Sequence, residues 1–185
     1  MSTKRQTYRV QVAGLERDLR MFEVAPGVRI AVLNILGDTE FVQACALALT
    51  DRLSLIQFDV IVTAEAKSIP LAHAISLEMK KPYVVLRKVY KPYMGVALSA
   101  ETLSITTAEP QMLFLDEKDQ DLLRGKQVVL LDDVISTGST LHGMRLLMEK
   151  AGAVVVKEAG VFTEGDRAKW EHIISLGHLP VFTGE

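Results

Sequence analysis

Two adjacent carboxylates and a run of hydroxyl side chains lie close together in one short segment of this chain. The aliphatic run Val128–Leu131 predicts a strand that is buried on both faces, and Asp132 and Asp133 follow at its carboxyl end. Open α/β sheets bind ligands at this edge. The next loop leads into an amphipathic helix, whose free N–H groups suit a phosphate. The loop consists of Ser136, Thr137, Gly138, Ser139 and Thr140. A phosphate cradle beside two acceptors for vicinal hydroxyls indicates a sugar phosphate.

Ordinary capping chemistry is the alternative for this segment, because Asp, Ser and Thr commonly precede helices. The whole order of strand, acidic pair, hydroxyl loop and amphipathic helix is less expected by chance. The segment has no Gly-Lys-Ser/Thr of a Walker A loop and no GxGxxG.

The range Val128–Thr140 resembles the phosphoribosyl-pyrophosphate (PRPP) motif of type I phosphoribosyltransferases. The resemblance implies an α/β fold with a mainly parallel twisted sheet, helices on both faces and a small hood over the base. It also implies that Asp132 and Asp133 hold the ribose 2′ and 3′ hydroxyls, and that the loop 136–140 holds the 5′-phosphate. Mg²⁺ would accompany the diphosphate, reached by the two aspartates at most through water.

A second segment follows the predicted strand Asp59–Val62. It resembles the Glu-Ala-x-Gly pyrophosphate loop of purine phosphoribosyltransferases, with matching Glu65 and Ala66. Lys67 stands where adenine enzymes usually carry Arg, and Ser68 replaces the usual Gly. The alternative is a solvated loop, but beside the acidic pair these four residues are predicted to bind diphosphate.

A third segment begins with Arg87 and Lys88, directly after the predicted strand Tyr83–Leu86. Arginine offers phosphate a planar fork of donors, and lysine offers a point charge. The resembled family places an Arg-Lys pair here, with the arginine on the diphosphate. We therefore predict Arg87 as catalytic together with Asp132 and Asp133. Lys88 and Lys91 are predicted PRPP ligands, with a charged surface loop as their alternative.

The base-binding residues are predicted less directly. Val32, Leu33 and Asn34 resemble the base-facing piece of xanthine enzymes, and Val134 and Thr163 are further candidates. Enzymes for 6-oxopurines usually carry a lysine near 162–165, and adenine enzymes a Glu-Tyr-Gly stretch in the segment 88–107. This chain has neither, so the base stays open. By resemblance, Lys88–Thr107 is predicted to be a mobile lid.

Strands alternating with helices predict a mainly parallel sheet in one domain, 1–185. The predicted core is 38–165, and the hood comes from 1–37 and 166–185. The predicted strands are Tyr8–Val12, Leu19–Val24, Val28–Leu33, Asp59–Val62, Tyr83–Leu86, Ala100–Thr107, Met112–Leu115, Gln127–Leu131, Ala153–Phe162 and Leu179–Phe182. The predicted helices are Asp38–Leu55, Ile69–Met79, Ser139–Lys150 and Asp166–Ile174.

Composition narrows the function classes. A net charge of −2 gives no electrostatic reason to expect nucleic acid. The single Cys45 lies in an apolar run, which predicts a buried thiol in a reducing compartment. Neither a signal peptide nor an apolar run of about 20 residues is visible, so we expect a cytoplasmic protein off the membrane. The scattered histidines do not indicate zinc.

Two functions from different classes follow from these patterns. The first is a purine phosphoribosyltransferase that converts PRPP and a purine base to a nucleoside monophosphate and pyrophosphate, by resemblance a homodimer. The second is a PRPP-binding regulator without transferase activity. The Glu-Ala loop argues against an orotate or uracil enzyme.

Overall fold

The computed structural model describes residues 6–102 and 111–184, which form eleven strands and four α-helices. In chain order these are β1 (Thr7–Val12), β2 (Leu15–Ala25), β3 (Val28–Val32), α1 (Thr39–Leu53), β4 (Val60–Ala64), α2 (Ile69–Met79), β5 (Tyr83–Leu86), β6 (Leu98–Thr102), β7 (Gln111–Leu115), α3 (Glu117–Leu123), β8 (Gln127–Ile135), α4 (Ser139–Ala151), β9 (Val154–Glu164), β10 (Ile174–Leu179) and β11 (Phe182–Thr183).

Five parallel strands form the central sheet, in the order β10-β9-β8-β4-β5. Successive aliphatic residues of β8 point to opposite faces, so Val129 packs with α1 and α2 while Leu130 packs with α4. This arrangement buries both faces of the strand, as its continuous aliphatic run predicts. The predicted parallel sheet with helices on both faces is confirmed.

A smaller antiparallel sheet has the order β1-β2-β3-β11, so both ends of the chain contribute to it. Val10, Val12 and Leu19 on its inner face share a hydrophobic core with Phe41 and Cys45 of α1. The buried position predicted for Cys45 is confirmed, and burial raises the pKa of its thiol to about 12. We call this four-stranded sheet the hood.

A partly exposed ion-pair cluster anchors the hood to α1. Arg17 of β2 donates to Asp38 at 2.7 Å and to Glu40 at 2.8 Å. Asp38 also caps α1 by accepting from the Phe41 N–H at 3.2 Å. The Arg17 guanidinium keeps the pKa of Asp38 below its usual range. The hood strand β2 is thereby held against the first turn of α1.

The C-terminal segment differs from the prediction. The predicted helix Asp166–Ile174 is wrong, because only the 3₁₀ turn Arg167–Trp170 forms. The chain then enters β10, which pairs in parallel with β9 along an otherwise open sheet edge. Edge pairing satisfies a row of backbone groups that local sequence patterns do not reveal. The assignment of 166–185 to the hood is therefore wrong for Ile174–Leu179, which extend the core sheet.

The segment predicted as a lid is partly packed. Residues 103–107 lie outside the described residues, but residues 92–94 form a 3₁₀ turn in which Met94 is fully buried. Glu117 of α3, a helix that we did not predict, accepts from the Val96 N–H at 2.7 Å. The first half of the predicted lid is thus fastened to the core. Along 6–102 and 111–184, no helix has the length and apolar character of a membrane span.

Candidate functional site

The acidic pair lies on β8, whose pairings with its two neighbouring strands end at different residues. The ladder between β4 and β8 stops at Thr63 and Leu131, whereas the ladder between β8 and β9 continues to Ile135. The predicted strand end at Leu131 is therefore wrong, because β9 carries the strand four residues further. Asp132 and Asp133 sit on ordered backbone with one flank free of any strand.

Ser68 occupies that free flank. Its hydroxyl donates to Asp132 Oδ1 at 2.8 Å and accepts from the Asp133 N–H at 2.9 Å. It also lies 3.4 Å from Asp133 Oδ1, and the Asp133 N–H reaches Asp132 Oδ1 at 2.9 Å. The structure thus joins the predicted diphosphate loop to the predicted ribose-binding pair.

Lys67 connects the same pair to the hood. Its ammonium donates to the Leu33 carbonyl at 3.3 Å and lies 3.8 Å from Asp133 Oδ2. Asp133 Oδ2 is buried and accepts no hydrogen bond from the described residues. This oxygen is a ready acceptor for an arriving hydroxyl group or for water on a cation.

Two neighbouring carboxylates in a poorly solvated place resist double ionisation. Burial, followed by the charge on Asp133, raises the pKa of Asp132 to about 7, and the Ser68 hydroxyl opposes that rise. Asp132 therefore keeps its proton to a higher pH than an ordinary aspartate does. Perturbed carboxyl pairs of this kind are frequent at functional sites.

The hydroxyl loop forms a small cradle at the start of α4. Gly138 has a φ of +79°, which only glycine adopts readily, and it turns the chain so that α4 starts at Ser139. Thr137 and Ser139 bond to each other through their hydroxyls at 3.2 Å. The cradle encloses about 80 Å³. Its lining includes Asp132, Val134 and the five loop residues Ser136, Thr137, Gly138, Ser139 and Thr140.

The predicted diphosphate residues at β5 form an ion pair with β4. Arg87 Nε contacts Glu65 Oε1, and the other oxygen of Glu65 accepts from the Lys88 N–H at 2.9 Å. The peptide bond between Glu65 and Ala66 is cis. Lys88 and Lys91 are exposed. The carboxylate of Glu65 therefore orients the guanidinium and the turn after β5 together.

The predicted base-binding residues occupy three places. Val32, Leu33 and Asn34 line a cavity of about 480 Å³ between the hood and α1. Val134 lines the phosphate cradle instead. Thr163 is buried and donates to His178 Nδ1 at 2.9 Å, because His178 Nε2 faces the Gly165 carbonyl at 3.0 Å and must carry the ring proton. The Thr163 hydroxyl is thus already engaged within the protein.

Sequence reasoning missed Glu164 at the end of β9. This carboxylate is only 5% exposed and accepts from the Ser136 hydroxyl at 2.5 Å. The Trp170 indole N–H donates to the Glu164 carbonyl at 2.9 Å. A charged residue at the end of a buried strand was the available signal.

Within the described ranges, no cluster of three or more His, Cys, Asp or Glu side chains could hold a metal ion. A cation at this site would therefore depend on ligands from the substrate or from water.

Comparisons with known proteins find one family match and several relatives. The phosphoribosyl transferase domain family matches residues 32–175. An adenine phosphoribosyltransferase from Thermosipho africanus is 33% identical over 150 residues, which cover 78% of this chain and 85% of that protein. A hypoxanthine/guanine phosphoribosyltransferase from Methanococcus voltae is 39% identical over 108 residues, covering 58% and 54%.

More distant matches include a regulator and solved structures. The purine biosynthesis transcriptional activator PurR of Lactococcus lactis is 25% identical over 142 residues, covering 77% of this chain and 51% of that protein. The crystal structure of adenine phosphoribosyltransferase from Thermoanaerobacter pseudethanolicus superposes with a TM-score of 0.65 at 21% identity, covering 94% of this chain and 95% of that one. That likeness concerns the fold. With the family match across 32–175 and the Thermosipho relative, it follows that this chain belongs to the phosphoribosyltransferase family.

Proposed function

We propose that this protein is a purine phosphoribosyltransferase, which transfers the 5-phosphoribosyl group of PRPP to a purine base and releases pyrophosphate. The observation that carries the proposal is the acidic pair Asp132 and Asp133 beside the phosphate cradle on one strand–loop–helix unit. Relatives that are named adenine or hypoxanthine/guanine phosphoribosyltransferases support the purine class.

In this proposal the two ends of the sugar phosphate have separate anchors. The 5′-phosphate accepts from the N–H groups of residues 136–140 at the α4 N-terminus and from the hydroxyls of Ser139 and Thr140. The Ser136 hydroxyl already donates its proton to Glu164. The ribose 2′ and 3′ hydroxyls donate to Asp132 and Asp133. Fixing both ends leaves the anomeric carbon as the part of the sugar that can react, which is catalysis by positioning.

The transfer breaks the bond between the anomeric carbon and the diphosphate oxygen, whose electron pair leaves with the diphosphate. A ring nitrogen of the base donates its lone pair to that carbon, and the base releases its N–H proton to water. The negative charge of the acidic pair favours the positive charge that develops on the ribose. Arg87 and Lys67, with Lys88 and Lys91 nearby, favour the departing diphosphate electrostatically.

The donor set near Asp133 suits Mg²⁺ held mainly by substrate oxygens. Asp133 Oδ2 is a hard oxygen acceptor without a hydrogen bond from the described residues, which fits a cation reached through water. Bound there, the ion would neutralise diphosphate charge.

We further propose a cytoplasmic homodimer, since the lone Cys45 is a buried free thiol and relatives of the family are typically dimeric.

A screen of the purified protein with PRPP and Mg²⁺ against adenine, hypoxanthine, guanine and xanthine tests the proposal. We expect one nucleoside monophosphate to form together with pyrophosphate, detected by chromatography. The product would also identify the base. Absence of product with all four bases contradicts the transferase.

A PRPP-binding regulator is the second candidate, favoured by the partial match to the Lactococcus activator. It shares the sugar phosphate site but performs no transfer. PRPP binding in calorimetry, combined with an inactive screen, would establish this candidate in place of the first.

A further inference from the structure

Ser68 stands at the N-cap position of α2, but its side chain does not cap the helix. Ser68 precedes the first turn of α2, where a serine hydroxyl usually caps the free N–H groups of the helix. Here the side chain makes no capping hydrogen bond to α2. It turns instead toward β8 and is only 1% exposed. The hydroxyl is therefore reserved for another partner.

That partner is the acidic pair. The single hydroxyl proton goes to Asp132 Oδ1 at 2.8 Å, and a lone pair accepts the Asp133 N–H at 2.9 Å. The β4 ladder has ended one residue before Asp132, so the Asp133 N–H has no strand partner on this side. Ser68 thus supplies with its side chain the hydrogen bond that a longer β4 would have supplied with its backbone.

These two bonds fix both the backbone and a carboxylate of the pair. A donor to Asp132 Oδ1 also weakens the repulsion between the neighbouring carboxylates, because it withdraws negative charge. Binding the diphosphate with the same hydroxyl would need the same proton. The hydroxyl cannot serve a carboxylate and a phosphate oxygen at once.

We propose that Ser68 is a positioning residue for the ribose-binding pair and makes no contact with the diphosphate, although it lies in the diphosphate loop. This inference rests on the proposed sugar phosphate site. Through Ser68, the loop that receives the leaving group also holds the carboxylates that receive the ribose. Removing the hydroxyl should therefore impair recognition of the sugar.

Two partial ligands separate the two roles. Ribose 5-phosphate contains the sugar without the diphosphate, and pyrophosphate contains the diphosphate without the sugar. In calorimetry on the full chain, Ser68→Ala should weaken ribose 5-phosphate about tenfold or more, since a hydrogen bond to a charged group is lost. Pyrophosphate affinity with Mg²⁺ should stay within about twofold. Ser68→Gly removes the same hydroxyl and should give the same pattern.

Ser76→Ala is the matched control, because Ser76 lies on the same helix and its hydroxyl donates to the Lys81 carbonyl at 2.5 Å, away from the site. It should change neither ligand affinity. Weaker pyrophosphate with unchanged ribose 5-phosphate would overturn the inference, as would unchanged affinity for both ligands. A wild-type protein that binds neither ribose 5-phosphate nor PRPP contradicts the proposed function itself, which is a different result.

Discussion

The Trp170 indole packs directly over Gly138 in the phosphate cradle. A Cβ on residue 138 would lie 2.9 Å from Trp170 Cη2, closer than side chains tolerate. The indole is itself held by its hydrogen bond to the Glu164 carbonyl. Trp170 therefore packs beside the loop that is proposed to hold the 5′-phosphate.

Gly138→Ala should damage the cradle more than a comparable change elsewhere. Both Gly138 and Gly125 have positive φ, so an alanine at either costs on the order of 1–2 kcal/mol in backbone energy. Only at Gly138 does the new methyl group also displace an indole. We expect Gly138→Ala to weaken ribose 5-phosphate more than about tenfold in calorimetry.

Gly125→Ala serves as the control for the backbone cost, because nothing lies within 4 Å of a Cβ there. It should lower the midpoint of thermal unfolding without changing ribose 5-phosphate affinity. Equal losses of affinity in both variants would show that the Trp170 contact is irrelevant.

Asp132 should make the protein less stable as pH rises. Its pKa is raised to about 7 in the folded protein from 3.8, so between these values the folded state binds more protons than the unfolded state. The free energy of unfolding therefore falls from about pH 4 to pH 7 through this group and levels off above. Asp132→Asn should flatten that dependence and raise the unfolding midpoint at pH 8.

Thermal unfolding at several pH values from 4 to 8 measures this effect. Asp121→Asn is a suitable control, because Asp121 is an exposed carboxylate on α3. An Asp132→Asn variant that is less stable than wild type at pH 8 would contradict the expected cost of the charged pair.

PRPP binding should be lost in the double variant Asp132→Asn with Asp133→Asn.

Arg87→Ala should discriminate between ligands with and without a diphosphate. Loss of the guanidinium removes a bidentate phosphate donor and leaves Glu65, its partner, as an unbalanced negative charge. We expect PRPP and pyrophosphate to weaken about tenfold or more, with a smaller change for the nucleoside monophosphate. Direct binding measurements on all three ligands decide the point.

Arg9→Ala removes the same charge from the hood, where Arg9 pairs with Asp18 at 2.9 Å. This control should leave all three affinities unchanged. If Arg87→Ala weakens the monophosphate as strongly as pyrophosphate, Arg87 has no particular role at the diphosphate.

Glu117→Ala should release the segment that follows β5. The Glu117 carboxylate accepts from the Val96 N–H and fills the space beside Gly95. Without it, limited proteolysis should cleave within 88–97 several times faster, since local opening becomes easier. Glu149→Ala, at an exposed glutamate of α4, should leave the cleavage rate unchanged. Equal rates in wild type and Glu117→Ala would show that this contact does not hold the segment.

Local sequence patterns were sufficient to predict the central strands β4 and β8 and the helices that follow them. The aliphatic runs before Glu65 and Asp132, and the helices that follow, depend on side-chain sequence over a few residues, so the sequence predicts them well. The extension of β8 to Ile135 depends on β9, and β10 depends on an open sheet edge. Such long-range pairings leave little trace in a short stretch of sequence.

The same distinction applies to the site. The acidic pair and the hydroxyl loop were visible because strand, carboxylates and helix start are consecutive. The bonds from Lys67 to Leu33, from Ser68 to Asp132 and from Ser136 to Glu164 join separate segments. Their partners could be found only once the topology placed the carboxyl ends of neighbouring strands together.

The unequal flanks of β8 have a consequence for the thermodynamics of ligand capture. Residues 132–135 are already ordered by the ladder with β9, so their backbone loses little conformational freedom when a ligand arrives. Fixing a flexible backbone residue would otherwise cost about 1–2 kcal/mol of entropy. Because this backbone is ordered before the sugar binds, binding does not include that entropic cost. A larger part of the interaction free energy with the two carboxylates therefore contributes to affinity.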